Sequence, residues 1–346
     1  MASIFTPRYL FLVNRLQQRG IAFNLEESLT QSYSPLRAAL AAYFTVGELG
    51  ALTYVVSDQM ADGQMEGFIQ VRERRSRPEA DVLFIAPALA DDVDPGVWHH
   101  LLAYACHQAG GRSIERLFAR LPEGGKEVTL FSQLGFNVYT REDLFCLSYG
   151  KQAEIEARPD AAIRPHRSED VIALQQLYAA VASRLVQQAE HVTGQYRLGP
   201  PDVWPAMVAQ QGYVLEKDGG IVGCLTVRSR RIGHWLYVLL HPQAYDHAGD
   251  LVAHGLAMLR DAPPGPIYCG VREYQGGLRA VLEDLGFALF ASRALMVKHT
   301  TVRVTDSVRT LVPALEKRAE VTTPTVSSAN SHRATGNTEP INQGVG

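Results

Sequence analysis

The chain has 346 residues, 46% of them hydrophobic and 20% charged, with 33 Lys and Arg against 36 Asp and Glu for a formal net charge of −3. This is a folded, globular composition with room for two cores of ordinary size, which excludes a fibre and a wholly disordered chain. A charge so near balance gives no general attraction to nucleic acid or to an anionic membrane, so any polyanion site would be local.

Thr6 and Pro7 form an N-cap and first-turn pair, and Tyr9, Leu12, Val13 and Leu16 recur at helical spacing until Gly20. The apolar run Tyr9 to Val13 is broken by Asn14 and Arg15 and is followed by no small-residue cleavage site, so it is not read as a secretion signal. Ser34 and Pro35 start a second helix, with Leu36, Leu40, Tyr43 and Phe44 as its apolar face. Strands follow: LTYVVSD, a turn at Asp62 and Gly63, MEGFIQVRER and ADVLFIAPA. VWHHLLAYACHQAG is helical and stops at Gly110 and Gly111; then come a strand, IERLFARL, a short helix ending at Leu134 and Gly135, and a strand, VYTREDLFCLS.

Lys151 to Asp160 is polar and suits a linker. Beyond it the same order returns: strand AAIRPH, a helix from Ser168, a helix near Trp204, strands GYVLEKD, GCLTVRSRR and HWLYVLL, helix GDLVAHGLAML, strand PIYCGV, helix GGLRAVLEDLG and strand LFASRALMVKH. The Thr, Ser, Asn and Gly-rich stretch from about residue 305 predicts a largely disordered tail over 305–346. No stretch approaches the roughly 18 uninterrupted apolar residues that a membrane helix needs. The cysteines Cys106, Cys146, Cys224 and Cys269 form no CxxC pair and read as small buried hydrophobes in a reducing cytosol, so the expected location is cytoplasmic.

The two halves share more than element order. GFIQVRERRSRPEADVLFIAP from Gly67 returns as GCLTVRSRRIGHWLYVLLHP from Gly223, with Val71 matching Val227 and Arg72, Arg74 and Arg75 matching Arg228, Arg230 and Arg231. SQLGF ending at Phe136 returns as EDLGF ending at Phe287. A repeat this long is the size of a domain, so residues 1–150 and 161–304 are expected to be two copies of one fold joined by a linker over 151–160. Strands alternating with helices around central hairpins predict an α/β fold, each copy a mixed, mostly antiparallel sheet with helices on both faces.

The helix-Gly-Phe-strand junctions QLGF (Gln133 to Phe136) and DLGF (Asp284 to Phe287), with a strand ending in His241 and Pro242 before a long helix, resemble the GCN5-related N-acetyltransferase (GNAT) family over roughly residues 1 to 304. The resemblance implies two tandem acyl-CoA N-acyltransferase domains. It also implies acetyl-CoA as co-substrate and an amine acceptor, either a small molecule or a peptide. In the family a loop of pattern Gln or Arg, x, x, Gly, x, Gly or Ala opens the helix after the fourth strand and holds the pyrophosphate on backbone amides and the positive helix end. The matching stretch of the second half gives His247, Ala248, Gly249, Asp250 and Leu251, with Leu239 on the strand before it, as candidate cofactor-binding residues. Asp246 stands where the pattern has a basic or amide residue. In the first half Gly96 is the match, flanked by Asp91, Asp92, Asp94 and a bulky Trp98.

The family's thiolate-protonating tyrosine is replaced by Phe131 and Leu282, neither of which can donate a proton, and its pantetheine-binding asparagine by Gly124 and Gln275, of which only Gln275 keeps an amide. The candidate catalytic residues are therefore His234 and Tyr237 on the fourth strand of the second half and Glu273 and Tyr274 after the fifth. Glu79 and Asp81 are their counterparts in the first half, with a water-facing strand end as the plainer reading. The arginine-rich hairpins read as solvated strand edges, and a grip on a phosphate or acidic partner is the alternative. His234 and His241, and His247 and His254, do not have metal-ligand spacing, so no metal site is expected. No P-loop, GxSxG or GxGxxG precedes a helix. The expected function is acyl transfer to an amine in the second half, with a non-catalytic ligand-binding or scaffold protein as the alternative.

Overall fold

A computed structural model describes residues 2–300 apart from 46, 61–62, 75–76, 90–93, 152–154, 156–161 and 191–211. The expected helix near Trp204, most of the linker and the whole tail lie outside the described residues. The first half contains β1 (Ala2–Ile4), α1 (Leu10–Leu16), β2 (Ile21–Ala22), α2 (Leu25–Thr30), α3 (Pro35–Phe44), β3 (Leu52–Met60), β4 (Gly63–Glu73), β5 (Glu79–Ala86), α4 (Pro95–Gly111), β6 (Arg116–Pro122), α5 (Lys126–Gln133) and β7 (Asn137–Leu147). The second contains β8 (Ile163–Pro165), α6 (Val171–Val181), α7 (Arg184–Glu190), β9 (Gly212–Lys217), β10 (Gly220–Ser229), β11 (His234–Leu240), α8 (Ala248–Ala257), β12 (Ile267–Arg272), α9 (Gly277–Asp284) and β13 (Ala288–His299).

One sheet runs through both halves in the order β1-β3-β4-β5-β6-β13-β7-β12-β11-β10-β9-β8, with β2 added on β5. The order has the same pairing pattern from either end: three antiparallel steps, then a parallel step (β5 to β6, β12 to β11), then the centre. At that centre the last strands are exchanged, because β13 pairs with β6 of the other half and β7 pairs with β12. The two exchanged strands also pair with each other from Ala288↔Cys146 to Val297↔Asn137.

Helices cover both faces, so the inner strands read as near-continuous apolar runs such as DVLFIA and WLYVLL. On one face α4 and α5 bury Trp98, Leu101 and Phe131 against Ile69 and Ile85, and α8 and α9 bury Leu251, Leu256 and Leu282 against Leu225 and Leu236. On the other, α1 and α3 set Val13 and Ala39 against Val55 and Phe68, and α6 sets Leu174 and Leu177 against Val214.

The two Leu-Gly-Phe junctions are the same device. Gly135 and Gly286 adopt φ of +84° and +83°, a conformation that favours glycine. Each donates to a carbonyl three residues back (Ser132, Glu283), and the following Phe136 and Phe287 donate to Phe131 and Leu282 at 3.1 and 2.9 Å. This is a Schellman ending with its apolar contact, since the Phe136 and Phe131 rings lie 4.8 Å apart.

Three expectations are corrected. Thr6 makes no capping bond. The buried face of α3 is Pro35, Ala39 and Ala42, leaving Tyr43 and Phe44 exposed, because the packing of α1 and β3 sets the helix rotation. The arginine hairpins are not edges, since β4 and β10 each have a strand on both sides.

Candidate functional site

Parallel strands that part leave one edge of backbone unpaired, and each half of this sheet parts once. β11 and β12 pair from His234↔Ile267 to Leu236↔Cys269 and then separate; β5 and β6 pair from Glu79↔Arg116 to Asp81↔Phe118 and then separate.

The opening in the first half is filled by the chain itself. Ile21 and Ala22 of β2 pair with Ile85 and Phe84, which also pair with β4, so β2 must lie on the side where β6 has left. The Phe23 N–H donates to the Leu83 carbonyl at 2.8 Å, and the Phe23 ring, 1% exposed, meets Trp98 and Phe131 edge-on at 6.1 and 5.9 Å. The approach requires Gly20, where a Cβ would sit 2.3 Å from the Phe84 ring and 2.7 Å from the Ile85 carbonyl. The helix start is occupied too: Asp94 accepts the Gly96 N–H at 2.8 Å. Asp91 and Asp92 lie outside the described residues.

In the second half, no strand among the described residues pairs with the open edge of β11. There the Val238 carbonyl accepts the Gln275 side-chain amide at 2.7 Å, while the Gln275 oxygen takes the Arg272 N–H at 3.4 Å. A cavity of about 50 Å³ remains, lined by Tyr237, Val238, Leu239, Gly270, Tyr274 and Gln275 together with Glu26, Arg120, Glu142, Trp235, Arg272 and Arg293. Tyr237, Leu239, Tyr274 and Gln275 were thus expected from sequence and are brought together. Burial raises the hydroxyls of Tyr237 and Tyr274 above the ordinary tyrosine range, in both cases against the pull of a neighbouring arginine.

Two other candidates lie elsewhere. His234 stands at the closed end of the β11–β12 pair, 2% exposed, with Nδ1 3.1 Å from the Ser229 hydroxyl and Nε2 2.8 Å from the Pro263 carbonyl. Both nitrogens are committed to holding a turn. Glu273 is half exposed beside Arg141 at 3.7 Å and lines a separate cavity.

At the start of α8 the chain first makes a 3₁₀ turn, Pro242–His247, whose Tyr245 carbonyl takes the Ala248 N–H. Ala248 and Leu251 are wholly buried and contribute only backbone to the helix start. Gly249 faces open space, with nothing within 4 Å of a built Cβ. Asp246 is paired with Lys217 at 3.4 Å and lies 3.5 Å from His247. Asp250 is half-buried in the first turn.

The charged lining was not foreseen, because its members come from elements far apart in sequence. Glu26, on α2 of the first half, accepts from the Tyr237 hydroxyl and from Arg228 of the second. Glu142 on β7 pairs with Arg293 on β13 and with Arg272 at 3.2 Å; burial opposes its charge, yet the two guanidiniums hold its carboxyl down at about 2. Arg272 also reaches Glu190 at 2.9 Å. Arg293, 3% exposed, keeps Nε and Nη1 without a hydrogen-bond partner, and burial lowers its pKa below the ordinary arginine value. Glu79, expected to face water, is instead 1% exposed between Arg74 at 2.9 Å and Arg116 at 3.0 Å.

Beside this cavity lies a cleft of about 710 Å³. Arg72, Arg74 and Arg77 of one hairpin and Arg228 and Arg230 of the other line it, opposed by Glu26, Glu27, Glu48, Glu73 and Asp81. Arg72 holds Glu27 at 2.7 Å and Arg74 holds Asp81 at 2.5 Å, so much of the charge is internally paired. Glu26 lines both the cleft and the smaller cavity.

No family model matches the sequence, and no curated protein is significantly similar to it. Among solved structures the chain is similar to a GCN5-related N-acetyltransferase from Sphaerobacter thermophilus, with 13% identity, 86% of this chain and 95% of that one covered, and a TM-score of 0.50. It is also similar to a tandem GNAT protein from the clavulanic acid biosynthesis pathway, with 14% identity, 86% and 98% covered, and a TM-score of 0.49. The first likeness shows the fold, and the chain therefore has the GNAT fold. The mirrored strand order shows its tandem arrangement. Among the described residues no helix is long and apolar enough to cross a membrane, and no group of side chains could hold a metal.

Proposed function

We propose that this protein transfers an acyl group from acetyl-CoA to an amine at the opening between β11 and β12, with the first half, residues 1–150, as a structural copy of the second, residues 161–304. The observation that carries this reading is the contrast between the two openings, one closed by β2 and Phe23, the other keeping a cavity and an edge of β11 with which no strand among the described residues pairs. The residues fit a pantetheine arm: the β11 backbone beyond the Gln275–Val238 bond can pair with its amides, and Gly249 leaves room for a phosphate at the α8 amides. Tyr237 and Tyr274 line the acyl end in this reading, while Leu239 lines the path towards His247, Ala248, Gly249, Asp250 and Leu251. Glu273 and His234 stay outside the chemistry.

One observation favours the second reading, a binding or scaffold protein without catalysis. Leu282 and Phe131, both fully buried, stand where a proton donor to the leaving thiolate would be. Calorimetric titration with acetyl-CoA decides between them. Binding is expected in the parent and in Gly96→Glu and lost in Gly249→Glu, whose added carboxylate would meet the phosphates. Heat from none of the three would favour the non-catalytic reading, and the reverse pattern would place the cofactor in the first half.

A further inference from the structure

Resting on that reading, we propose that the acceptor is an amino acid zwitterion, its carboxylate pairing with Arg293 and its amino group meeting Glu26 in the cavity at the β11–β12 opening. The first observation is Arg293 itself. A guanidinium that is 3% exposed, with one nitrogen on Glu142 and two without an acceptor, is an arrangement that folded proteins avoid unless something completes it. A carboxylate is the natural complement, since it can take two parallel N–H groups from one guanidinium. Three arginines (Arg120, Arg272, Arg293) and two carboxylates (Glu26, Glu142) line the cavity.

The second observation is Glu26. Its side chain is 12% exposed, fixed by Tyr237 and Arg228, and it forms part of the wall of both the small cavity and the 710 Å³ cleft. An ammonium group placed there is opposed by a carboxylate, and the rest of the acceptor extends into a cleft whose five arginines face five carboxylates. A polycation would meet the arginines and a polyanion the carboxylates. A short molecule carrying one charge of each sign fits both.

Glu26 then has a defined task. Its carboxylate takes one proton from the acceptor's ammonium group, which frees the nitrogen lone pair. That pair forms the bond to the acyl carbon of the thioester as the carbon–sulfur bond breaks and its electron pair leaves with sulfur. The second nitrogen proton neutralises the thiolate, and Glu26 returns its own to solvent. The products are an N-acylated amino acid, free thiol and one proton.

The test uses the full chain with the common L-amino acids, their decarboxylated amines and spermidine as probes. Binding is read by calorimetry without acetyl-CoA, and transfer by thiol release with it. One or a few amino acids are expected to bind and to react, and the decarboxylated amines to do neither. Glu26→Gln should weaken amino acid binding and slow thiol release by about 100-fold or more. Because Arg293→Met alone takes one guanidinium from Glu142 and leaves it beside Arg272, the double variant Arg293→Met with Glu142→Gln removes both charges together; it should keep its melting transition and acetyl-CoA binding and lose the amino acid. Amino acid binding in a protein that does not respond to acetyl-CoA would support the zwitterion site and overturn the transfer reading. Thiol release with decarboxylated amines or spermidine as the better acceptors would overturn the zwitterion and leave transfer standing, and so would the absence of amino acid binding.

Discussion

At the scale of single residues, the centre of this sheet depends on charges that water does not reach. Glu142 is 11% exposed and lies between Arg293 and Arg272. Its folded pKa is depressed from 4.5 to about 2, so its contribution to stability is complete above the ordinary carboxylate range and is lost as pH falls through about 2. Removing one member of such a pair leaves its partners uncompensated, and Glu142→Gln is expected to lower stability at neutral pH by roughly 3 kcal/mol. Urea denaturation between pH 7 and pH 2 should show the parent approaching the variant as the carboxyl protonates. Parallel curves would mean that Glu142 is not held low. Cys224 and Cys269 are quieter members of the same interior, where burial pushes both thiols up to about 12, far from reactivity near neutrality.

At the scale of elements, a two-residue strand has closed one of two equivalent openings. β2 is anchored by the Phe23 amide on Leu83, by the Ala88 amide on Arg19 at 2.7 Å, and by the Phe23 ring between Trp98 and Phe131. Phe23→Ala should cost about 3–5 kcal/mol, the usual range for a buried phenylalanine. The Phe23 amide should exchange hydrogen only through global unfolding, and rapid exchange there would show that the plug opens on its own. The closure has a second effect, since the turn after β2 leads directly into α2, which carries Glu26 across to Tyr237 and Arg228. The element that closes the first opening thus furnishes the second with a carboxylate.

At the scale of the whole molecule, exchanged strands make the halves interdependent. Residues 1–150 expressed alone would leave β6 without β13 and β7 without β12, two long unpaired edges at what is now the middle of the sheet. The isolated half is expected to aggregate, while co-expression of 1–158 with 159–346 should restore a soluble complex. Folded, monomeric 1–150 would show that the exchange is dispensable. For the same reason the intact chain should unfold in one transition. Fluorescence from Trp98 in one half and Trp235 in the other, each isolated by substituting the remaining tryptophans with Phe, should report the same midpoint in urea.

What the sequence determined by itself is whatever local periodicity and turn chemistry can encode. Apolar runs bounded by turn residues specified the strands, glycine at the ends of α5 and α9 specified two identical helix endings, and these junctions with the repeated order of elements carried the resemblance to a tandem α/β fold of the GNAT kind. The positions of Tyr237, Leu239, Tyr274 and Gln275 around one opening followed from that order. Only the tertiary structure decided which strand enters which half, because β7 and β13 are equally good partners for β6 by pattern, and pairing at a distance leaves no local mark. It also decided the charged site. Glu26, Arg120, Glu142, Arg272 and Arg293 come from five separate elements, and each in its own segment reads as an ordinary surface charge. A charge becomes chemically informative when packing removes water from it, and that depends on residues elsewhere in the chain.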